Sequence, residues 1–389
     1  MRGSIQKRGQ RSWRLVFDLE RDHTGRRKQK TVTFRGSKRD AEAELSRILA
    51  EIENGGFVDP GNVTVAEYLK RWLEHVATKT AAKTHERYVE IVRLGINPSL
   101  GAIKLAKLRP IEIQGFYAEA LKSGRQDGRG GLSARSVFHY HAILSQALKQ
   151  AVKWQLLPRN PADAVEPPRF EQKEMMALDA NQTATLIESV RGTVLYIPAL
   201  LAVTTGMRRG EVLALRWSDV DVERATLSVT QTLEKTRKSG LQFKQPKTLK
   251  SRRTISLPSI TVDALRKHRA EQAELYLSIG IGWSAKGLVC TKAAGGPITP
   301  NTLTSSFARH VKGLDIPRVR FHDLRHTHAT QLLQEGVHPK VAQERLGHAT
   351  IAITLDLYSH VMPGMQEDAA ARVDRALKSA LGRRAQHET

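Results

Sequence analysis

The chain has 389 residues with 62 Lys and Arg against 39 Asp and Glu, a formal net charge of +23. Hydrophobic residues make up 40%, which excludes wholesale disorder, and the length suggests two or three domains at roughly 150 residues each. So large a basic excess favours a partner that carries phosphates, because each phosphate neutralised by Lys or Arg releases condensed counterions.

The cysteine content and the apolar runs bear on location. Cys290 is the only cysteine, so the chain can form no internal disulfide and no cysteine metal cluster, which fits a reducing cytosol. The basic N-terminus has no apolar run behind it, unlike a signal peptide. No run approaches the roughly 18 apolar residues of a membrane span. We therefore expect a cytoplasmic protein without membrane contact.

The first predicted domain covers residues 1–57 and is strongly basic. Its first 39 residues hold thirteen Lys or Arg against three Asp or Glu. Apolar residues recur at every second position from Trp13 to Leu19, the period of a half-buried strand, and shorter strands are predicted near 4–7 and 31–34. Ser37 can cap the helix that follows. A small basic sheet with one helix favours contact with DNA.

The second predicted domain, residues 63–157, is helical. Thr64 and Glu67 match a capping box at the start of its first helix, and three further helices are predicted after it. No strand pattern appears in this block, so we predict a four-helix domain. The proline-rich run 158–168 is a linker to the next domain.

The third predicted domain, residues 173–389, mixes helices with short strands, which are predicted over 226–233 and 254–257. In the tail, Val373, Leu377 and Leu381 lie at the i, i+4 and i+8 positions of a short amphipathic helix. The predicted fold class is therefore multidomain and mainly α with small β-sheets. It combines an N-terminal sheet-plus-helix domain, a four-helix domain and an α+β domain.

The third domain also carries groups suited to phosphate chemistry. A phosphoryl-transfer site needs cations where charge builds in the transition state, and the planar fork of arginine suits phosphate best. It also needs a nucleophile and an acid for the leaving oxygen. The sequence offers no carboxylate cluster typical of magnesium and no GxxxxGK[ST] loop. We therefore expect side chains to supply the charge, without a metal, nucleotide or other cofactor.

Three segments supply such groups in order along the chain. They are Thr205-Gly206-Met207-Arg208, the segment from His322 to Arg325, and Leu346-Gly347-His348, with Tyr358 ten residues further on. This ordered set resembles the signature of the tyrosine recombinase (phage integrase) family. That family has an arginine after a T-G-x turn, an H-x-x-R helix, an L-G-H turn and a tyrosine about ten residues later.

The resemblance implies a role for each matched residue. Tyr358 matches the nucleophile, which in the family forms a 3′-phosphotyrosyl link and frees a 5′-hydroxyl. Arg208 and Arg325 match the two arginines that hold the scissile phosphate. His322 matches the residue assigned to proton transfer from the tyrosine. Two further matches are a second phosphate contact at His348 and an acid that supports the first arginine at Glu211.

The lysine of the site is less closely defined. Lys247 resembles the family's hairpin lysine, which protonates the leaving oxygen. Lys244 and Lys250 lie within three residues of it, and the hairpin motif is loose, so the choice among the three stays open. A positioned acid typically contributes roughly 10² to 10⁴ in rate.

The resemblance also implies a domain plan and partners. It implies an arm-type DNA-binding domain over 1–57, a core-binding (SAM-like) domain over 63–157 and a catalytic domain over 173–389. The expected activity is site-specific recombination that integrates or excises a phage or another mobile element. The expected partners are double-stranded DNA attachment sites, further copies of the chain in a homotetramer on DNA, and an accessory DNA-bending or directionality factor. The tail helix would dock on a neighbouring subunit.

Two other functions are compatible with part of the sequence. His322 and His326, with Asp323 beside the first, resemble the helix of a zinc-dependent hydrolase. The hydrolase helix, however, has Glu where this chain has Asp323. A DNA-binding regulator without catalysis would explain the charge but not the order of the three segments. If the chain is a recombinase, we expect His326 and His328 to be structural or surface groups. We expect Arg209 to be solvated or to contact the DNA backbone.

Overall fold

The computed structural model describes residues 3–19, 28–53, 62–171, 176–245, 252–352, 354–355, 370–371, 373–375 and 377–378. The chain divides into two compact units, Met1–Glu171 and Gln172–Thr389. Among the helices described, none is long and apolar enough to cross a membrane.

The N-terminal part of the first unit is a three-stranded antiparallel sheet followed by a helix. The strands β1 (Gly3–Gly9), β2 (Ser12–Leu19) and β3 (Lys28–Arg35) pair in that order, and α1 spans Lys38–Glu53. The predicted alternation holds, because Leu15 and Phe17 of β2 are fully buried against α1 residues such as Leu45. Ser37 accepts a hydrogen bond from the Asp40 amide at 3.2 Å, so the predicted helix cap is confirmed.

The rest of the first unit is helical and has its own hydrophobic core. Its helices are α2 (Val65–Ala77), α3 (Ala82–Ile91), the short α4 (Asn97–Leu100), α5 (Pro110–Ser123) and α6 (Ala134–Lys153), with a π-helical turn at Val92–Ile96. The capping box is confirmed, since Glu67 N–H donates to Thr64 Oγ1 at 3.2 Å and Thr64 N–H donates to Glu67 Oε2 at 2.8 Å. Trp72 and Tyr68 fill the centre of this core.

The second unit combines seven helices with five short strands in the part of the chain that is described. The helices are α7 (Ala180–Val190), α8 (Tyr196–Thr205), α9 (Arg209–Ala214), α10 (Ser259–Ser278), α11 (Pro300–Val311), α12 (Asp323–Gln334) and α13 (Pro339–Leu346). The strands are β4 (Val220–Asp221), β5 (Thr226–Val229), β6 (Thr232–Thr236), β7 (Gly240–Lys244) and β8 (Arg253–Ser256).

The prediction of one continuous strand over 226–233 is wrong, because the strand is interrupted at residues 230 and 231. The first half is β5, which pairs with β4 and β8, and the second half begins β6, which pairs with β7. The Thr230 hydroxyl donates to Asp219 Oδ1 at 3.1 Å, and Gln231 Nε2 donates to the Ala214 carbonyl at 2.7 Å. These side-chain bonds hold the two residues between the sheets. The strand predicted over 254–257 matches β8.

Helix α8 is the central element of the second unit, and most of its residues are buried. It ends at Gly206, which has φ +67°, a conformation that glycine adopts without strain. A Cβ added there would lie 2.6 Å from Leu346 Cδ2 and 2.7 Å from His328 Cδ2. Glycine therefore lets the end of α8 approach α12 and α13 closely. Cys290 is buried in the same core, which raises the pKa of its thiol to about 12.

Candidate active site

Four helix ends converge in the second unit. Helices α8 and α13 end in left-handed glycines, Gly206 and Gly347, while α9 begins after Arg208 and α12 begins after His322. The last carbonyls of a helix lack intrahelical partners and carry partial negative charge, so they stabilise nearby cations. The two C-terminal ends therefore form an acceptor surface for arginines.

Arg208 is held at the first turn of α9. Its amide donates to Glu211 Oε2 at 2.9 Å, and its Nη1 donates to Glu211 Oε1 at 2.9 Å. Its Nη2 donates to the Gly347 carbonyl at 3.2 Å. The side chain is 41% exposed, so the guanidinium is fixed on one side and open to solvent on the other.

Arg325 is buried and joins the two helix C-termini. Its Nη1 donates to the Gly206 carbonyl at 2.6 Å and its Nη2 to the Leu346 carbonyl at 2.7 Å. Burial and the charge of nearby Arg208 lower the pKa of Arg325 to about 9, which still leaves it protonated at neutral pH. The segments that contain Arg208 and Arg325 thus meet at one place.

A third arginine, Arg253 at the start of β8, completes this arrangement. Its Nε donates to the Arg345 carbonyl at 2.7 Å. Arg253, Arg325 and Arg208 therefore donate to the carbonyls of residues 345, 346 and 347 respectively. Three consecutive carbonyls at the end of α13 hold three arginines that come from different parts of the sequence.

Glu211 supplies the negative charge at the centre of these cations. It is 4% exposed and binds both Arg208 and Arg253, the latter through contacts of 2.8 and 3.3 Å. Burial alone opposes ionisation, but the hydrogen bonds and charge of Arg253, followed by those of Arg208, hold the pKa of Glu211 below its ordinary value. The carboxylate is therefore ionised and shared between the two arginines.

The two histidines of the signature segments lie close to these cations. Loss of surrounding water and the charge of Arg325 lower the pKa of His322, which precedes the first residue of α12. The same causes lower the pKa of His348 to about 3, and its Nδ1 lies 3.0 Å from Thr354 Oγ1. Both imidazoles are therefore neutral at pH 7 in the DNA-free protein.

The prediction for His328 is confirmed, since this histidine is structural. Its Nε2 accepts from Arg345 Nε at 3.1 Å, which makes Nδ1 the donor to the Val203 carbonyl at 2.8 Å. Arg345 also donates to the Thr204 carbonyl at 2.9 Å. This chain of bonds ties α13 to the end of α8 through α12.

The prediction that Arg209 is solvated or contacts the DNA backbone is wrong, because the side chain is half-buried against α11. Its Nη1 donates to the Pro300 carbonyl at 3.1 Å and to Thr304 Oγ1 at 2.5 Å. Adjacent arginines thus differ in role, and Arg209 fixes α9 to its neighbour while Arg208 faces the helix ends.

Several predicted residues lie outside the described part of the chain, namely Tyr358, Lys247 and Lys250. Lys244, the third candidate lysine, lies in β7, where its Nζ contacts Glu234 Oε2 at 2.5 Å. This ion pair joins β7 to β6, so the Lys244 ammonium already has a carboxylate partner.

Arg253 and Arg345 were missed as site residues by the sequence analysis, although Arg253 left a signal. Residues i and i+2 of a strand share a face, and Ile255 of β8 is buried in the core. Arg253 therefore occupies an inward position, where an unpaired arginine would be costly. Arg345 gave no comparable signal, because its partners come from α8 and α12.

The histidine pair behind the zinc hypothesis is present, but among the described residues no third ligand lies with it. The rings of His322 and His326 lie 5.3 Å apart, edge to face. Asp323, the acid beside them, binds the Arg320 amide and guanidinium instead. Over the described residues, no group of three or more His, Cys, Asp or Glu could hold a metal ion.

Comparison with known proteins identifies the family. The Phage integrase family model matches residues 171–364, and the model of the Phage integrase N-terminal SAM-like domain matches residues 64–121. A protein named Tyrosine recombinase XerC-like, from Caldanaerobacter subterraneus subsp. tengcongensis, is 30% identical over 382 residues, which cover 93% of this chain and 96% of the relative. The chain belongs to the phage integrase family of tyrosine recombinases.

Other integrases resemble this recombinase along most of its length. An Integrase from Streptomyces ambofaciens is 26% identical over 95% of both chains. Among solved structures, the Tn1549 transposon integrase in complex with transposon right end DNA matches 80% of this chain and 100% of its own, with a TM-score of 0.67 and 19% identity. A lambda integrase dimer bound to a core site matches 91% and 93%, with a TM-score of 0.57 and 19% identity.

These comparisons fix the fold class and the kind of activity. The structural likeness confirms the predicted mainly α architecture with small sheets, and the family confirms a site-specific recombinase, an enzyme that carries out DNA strand exchange. Family membership favours this function over the zinc-dependent hydrolase and over the regulator without catalysis.

Proposed function

We propose that this recombinase cleaves and rejoins double-stranded DNA through Tyr358. The phenolic oxygen attacks the scissile phosphorus, forms a 3′-phosphotyrosyl bond and releases the 5′-oxygen, which leaves as a hydroxyl once protonated. A 5′-hydroxyl from another strand then reverses the step. The phosphodiester energy is kept in the covalent bond, so the strand exchange needs no nucleotide.

The observation that carries this proposal is the meeting of Arg208 and Arg325 at the end of α13. Both arginines bind carbonyls of the turn that contains His348, ten residues before Tyr358. Preorganised cations aimed at developing charge are usually the largest single contribution to such catalysis. Arg208 keeps an exposed side, which suits contact with a phosphate.

The neutral histidines suit proton transfer and hydrogen bonding. We assign His322 as the group that accepts the Tyr358 proton, since an imidazole with a lowered pKa is free to take a proton at pH 7. His348 would donate to the phosphate from Nε2, the nitrogen opposite the one that faces Thr354. A bound phosphate raises the pKa of both rings, because its negative charge favours the protonated form.

Lys247 is our candidate for the acid that protonates the leaving 5′-oxygen. Lys244 is the weaker candidate because its ammonium is paired with Glu234. Lys250 remains the alternative to Lys247.

We also infer how the domains engage DNA. Residues 1–57 would bind arm-type sites, residues 63–157 the core site, and residues 173–389 the scissile phosphates. A lambda integrase tetramer bound to a Holliday junction shares the fold, with a TM-score of 0.55 and 20% identity, which supports a homotetramer on attachment-site DNA. In the tail, Val373 and Leu377 are 60% and 55% exposed, so one apolar strip is open to a neighbouring subunit. Integration or excision of a mobile element, with an accessory DNA-bending or directionality factor, completes the proposal.

A suicide DNA substrate tests the proposal directly. Its nicked core site loses a short fragment after cleavage, which traps the covalent intermediate. We expect a protein–DNA adduct with the wild-type chain that disappears in Tyr358→Phe. Tyr276→Phe is the matched control, because it removes a hydroxyl that bonds Thr291 within the same unit, and it should keep the adduct.

The same samples also report assembly when their mass on DNA is measured without denaturation. Complexes with four protein copies on paired sites are expected. An adduct that persists in Tyr358→Phe, or its absence in the wild type on its own attachment sites, would contradict the proposed chemistry. Complexes that never exceed two copies would contradict the tetramer.

A further inference from the structure

Arg253 is a buried cation that contacts residues next to two of the signature segments, Glu211 beyond the first and Arg345 before the third. Its side chain is 6% exposed. Two of its nitrogens bind the Glu211 carboxylate at 2.8 and 3.3 Å, and its Nε binds the Arg345 carbonyl at 2.7 Å. Arg253 thus links the acid that holds Arg208 to the turn that precedes His348.

The position of Arg253 in the chain adds a third segment. It lies at the start of β8, two residues after the end of the segment 246–251 that contains Lys247. The register of β8 against β5 pairs Arg253 with Val229, so the strand that follows the lysine segment is fixed at its first residue.

The packing around Arg253 leaves little freedom. Gly347 has φ +67°, and a Cβ added there would lie 3.0 Å from Arg253 Nη1 and 3.2 Å from its Cδ. The guanidinium therefore lies directly against the backbone of the turn. Because a planar fork fits a carboxylate through two parallel bonds, both the distance and the orientation of Glu211 are set.

Electrostatics explains how Arg253 is tolerated beside two other arginines. Arg208, Arg253 and Arg325 repel one another, and the charge of Arg253 helps lower the pKa of Arg325. One carboxylate and the carbonyls at the end of α13 offset this repulsion. Removal of Arg253 would leave Glu211 with Arg208 as its single arginine partner among the described contacts and would free the Arg345 carbonyl, so both could shift.

We propose that Arg253 is a positioning residue for strand cleavage, which sets the geometry of Arg208 and of the His348 turn without touching the phosphate. This inference rests on the proposed function. Burial and the contacts with Glu211 and Arg345 argue against direct contact with DNA. A misplacement of about 1 Å at a reacting centre can cost about a hundredfold in rate, which sets the size of the expected effect.

The test compares Arg253→Gln, Arg253→Lys and Arg216→Gln in the full-length protein. Arg216 is the control, because it also pairs with an acid, Asp219 at 3.1 Å, but lies beyond the C-terminal end of α9, whereas Arg208 lies at the N-terminal end. Single-turnover cleavage of the suicide substrate is measured at saturating DNA, together with the Kd for that DNA and the Tm of each variant.

We expect Arg253→Gln to cleave about a hundredfold more slowly, with the Kd for DNA changed by less than about threefold. Arg253→Lys should recover part of the rate, since an ammonium can pair with Glu211 but cannot also reach the Arg345 carbonyl. Arg216→Gln should lower the Tm and keep the wild-type cleavage rate. If Arg253→Gln does not fold, Arg253→Lys tests the inference alone: a cleavage rate below that of the wild type supports it, and a wild-type rate overturns it.

Coupling with Glu211 separates positioning from general loss of stability. We compare the double variant Arg253→Gln with Glu211→Gln against each single variant. Its cleavage rate should lie within about threefold of the rate of the slower single variant. Rates that multiply would overturn the inference, as would wild-type cleavage by Arg253→Gln or an equal loss in Arg216→Gln. Failure of the wild type to form any adduct would instead overturn the proposed function, and this inference with it.

Discussion

Basic side chains serve one purpose in the N-terminal sheet and another at the end of α13. In the sheet, Lys7, Arg8, Arg11 and Arg35 are exposed, so their charges face solvent on long side chains. At the end of α13, Arg253 and Arg325 are buried, and each is bound to atoms of the main chain. The first arrangement offers charge to any nearby phosphate, whereas the second holds cations in one geometry.

The difference shows what net charge can and cannot indicate. A formal charge of +23 indicates a polyanionic partner, because exposed cations attract phosphates without regard to sequence. It says nothing about catalysis, which depends on a few guanidiniums whose surroundings fix their direction. Three perturbations separate the two kinds of cation.

The largest effect is expected from Arg325→Gln. Glutamine removes a charge that would stabilise the transition state and leaves the Gly206 and Leu346 carbonyls without their donor. Loss of one such preorganised donor costs about 10² to 10³ in rate, so single-turnover cleavage should fall by about 10³. DNA affinity, measured by fluorescence anisotropy, should change by less than about tenfold. Cleavage within about tenfold of the wild type would remove Arg325 from the site.

An intermediate effect is expected from replacing Lys7, Arg8, Arg11 and Arg35 together with glutamine. If each neutralises one phosphate, the slope of log affinity against log salt becomes shallower by about 3.6 on DNA that contains an arm-type site. Cleavage of a minimal core site at saturating protein should keep its wild-type rate. An unchanged salt slope would show that the sheet does not bind DNA through these residues.

The smallest effect is expected from Arg209→Gln. The variant loses the hydrogen bonds to Pro300 and Thr304 that connect α9 to α11, so the free energy of unfolding should fall by about 1 to 2 kcal/mol. The cleavage rate should stay within about twofold of the wild type. A rate as low as that of Arg325→Gln would place Arg209 with the buried site cations after all.

The sequence was sufficient for features that depend on local pattern or on an ordered motif. Strand β2 followed from alternation and α2 from a capping box, and the spacing of His322 and Arg325 placed both at the start of one helix. The break at residues 230 and 231 could not be predicted, because it depends on bonds to Asp219 and Ala214, and chain pattern does not report such contacts. Arg209 was misjudged for the same reason, since its partners come from α11.

The site shows the same division between local and distant causes. Glu211 was predicted to support Arg208 because of the family resemblance, and a spacing of three residues at the start of one helix brings the two side chains within reach. The role of Arg253 as a partner of that same Glu211 required β8 and α9 to be placed in space. Tyr358 and Lys247 remain predictions that rest on the resemblance and on the family.

The acceptors at the end of α13 have a consequence for how such a site can evolve. The oxygens that hold Arg208, Arg253 and Arg325 belong to the peptide backbone, which every amino acid supplies. A substitution at position 345 or 346 would therefore keep the acceptor of the arginine bond, even though it would lose the contacts of the Arg345 or Leu346 side chain itself. A change at any of the three arginines deletes a donor, so mutational tolerance is unequal on the two sides of each of these bonds.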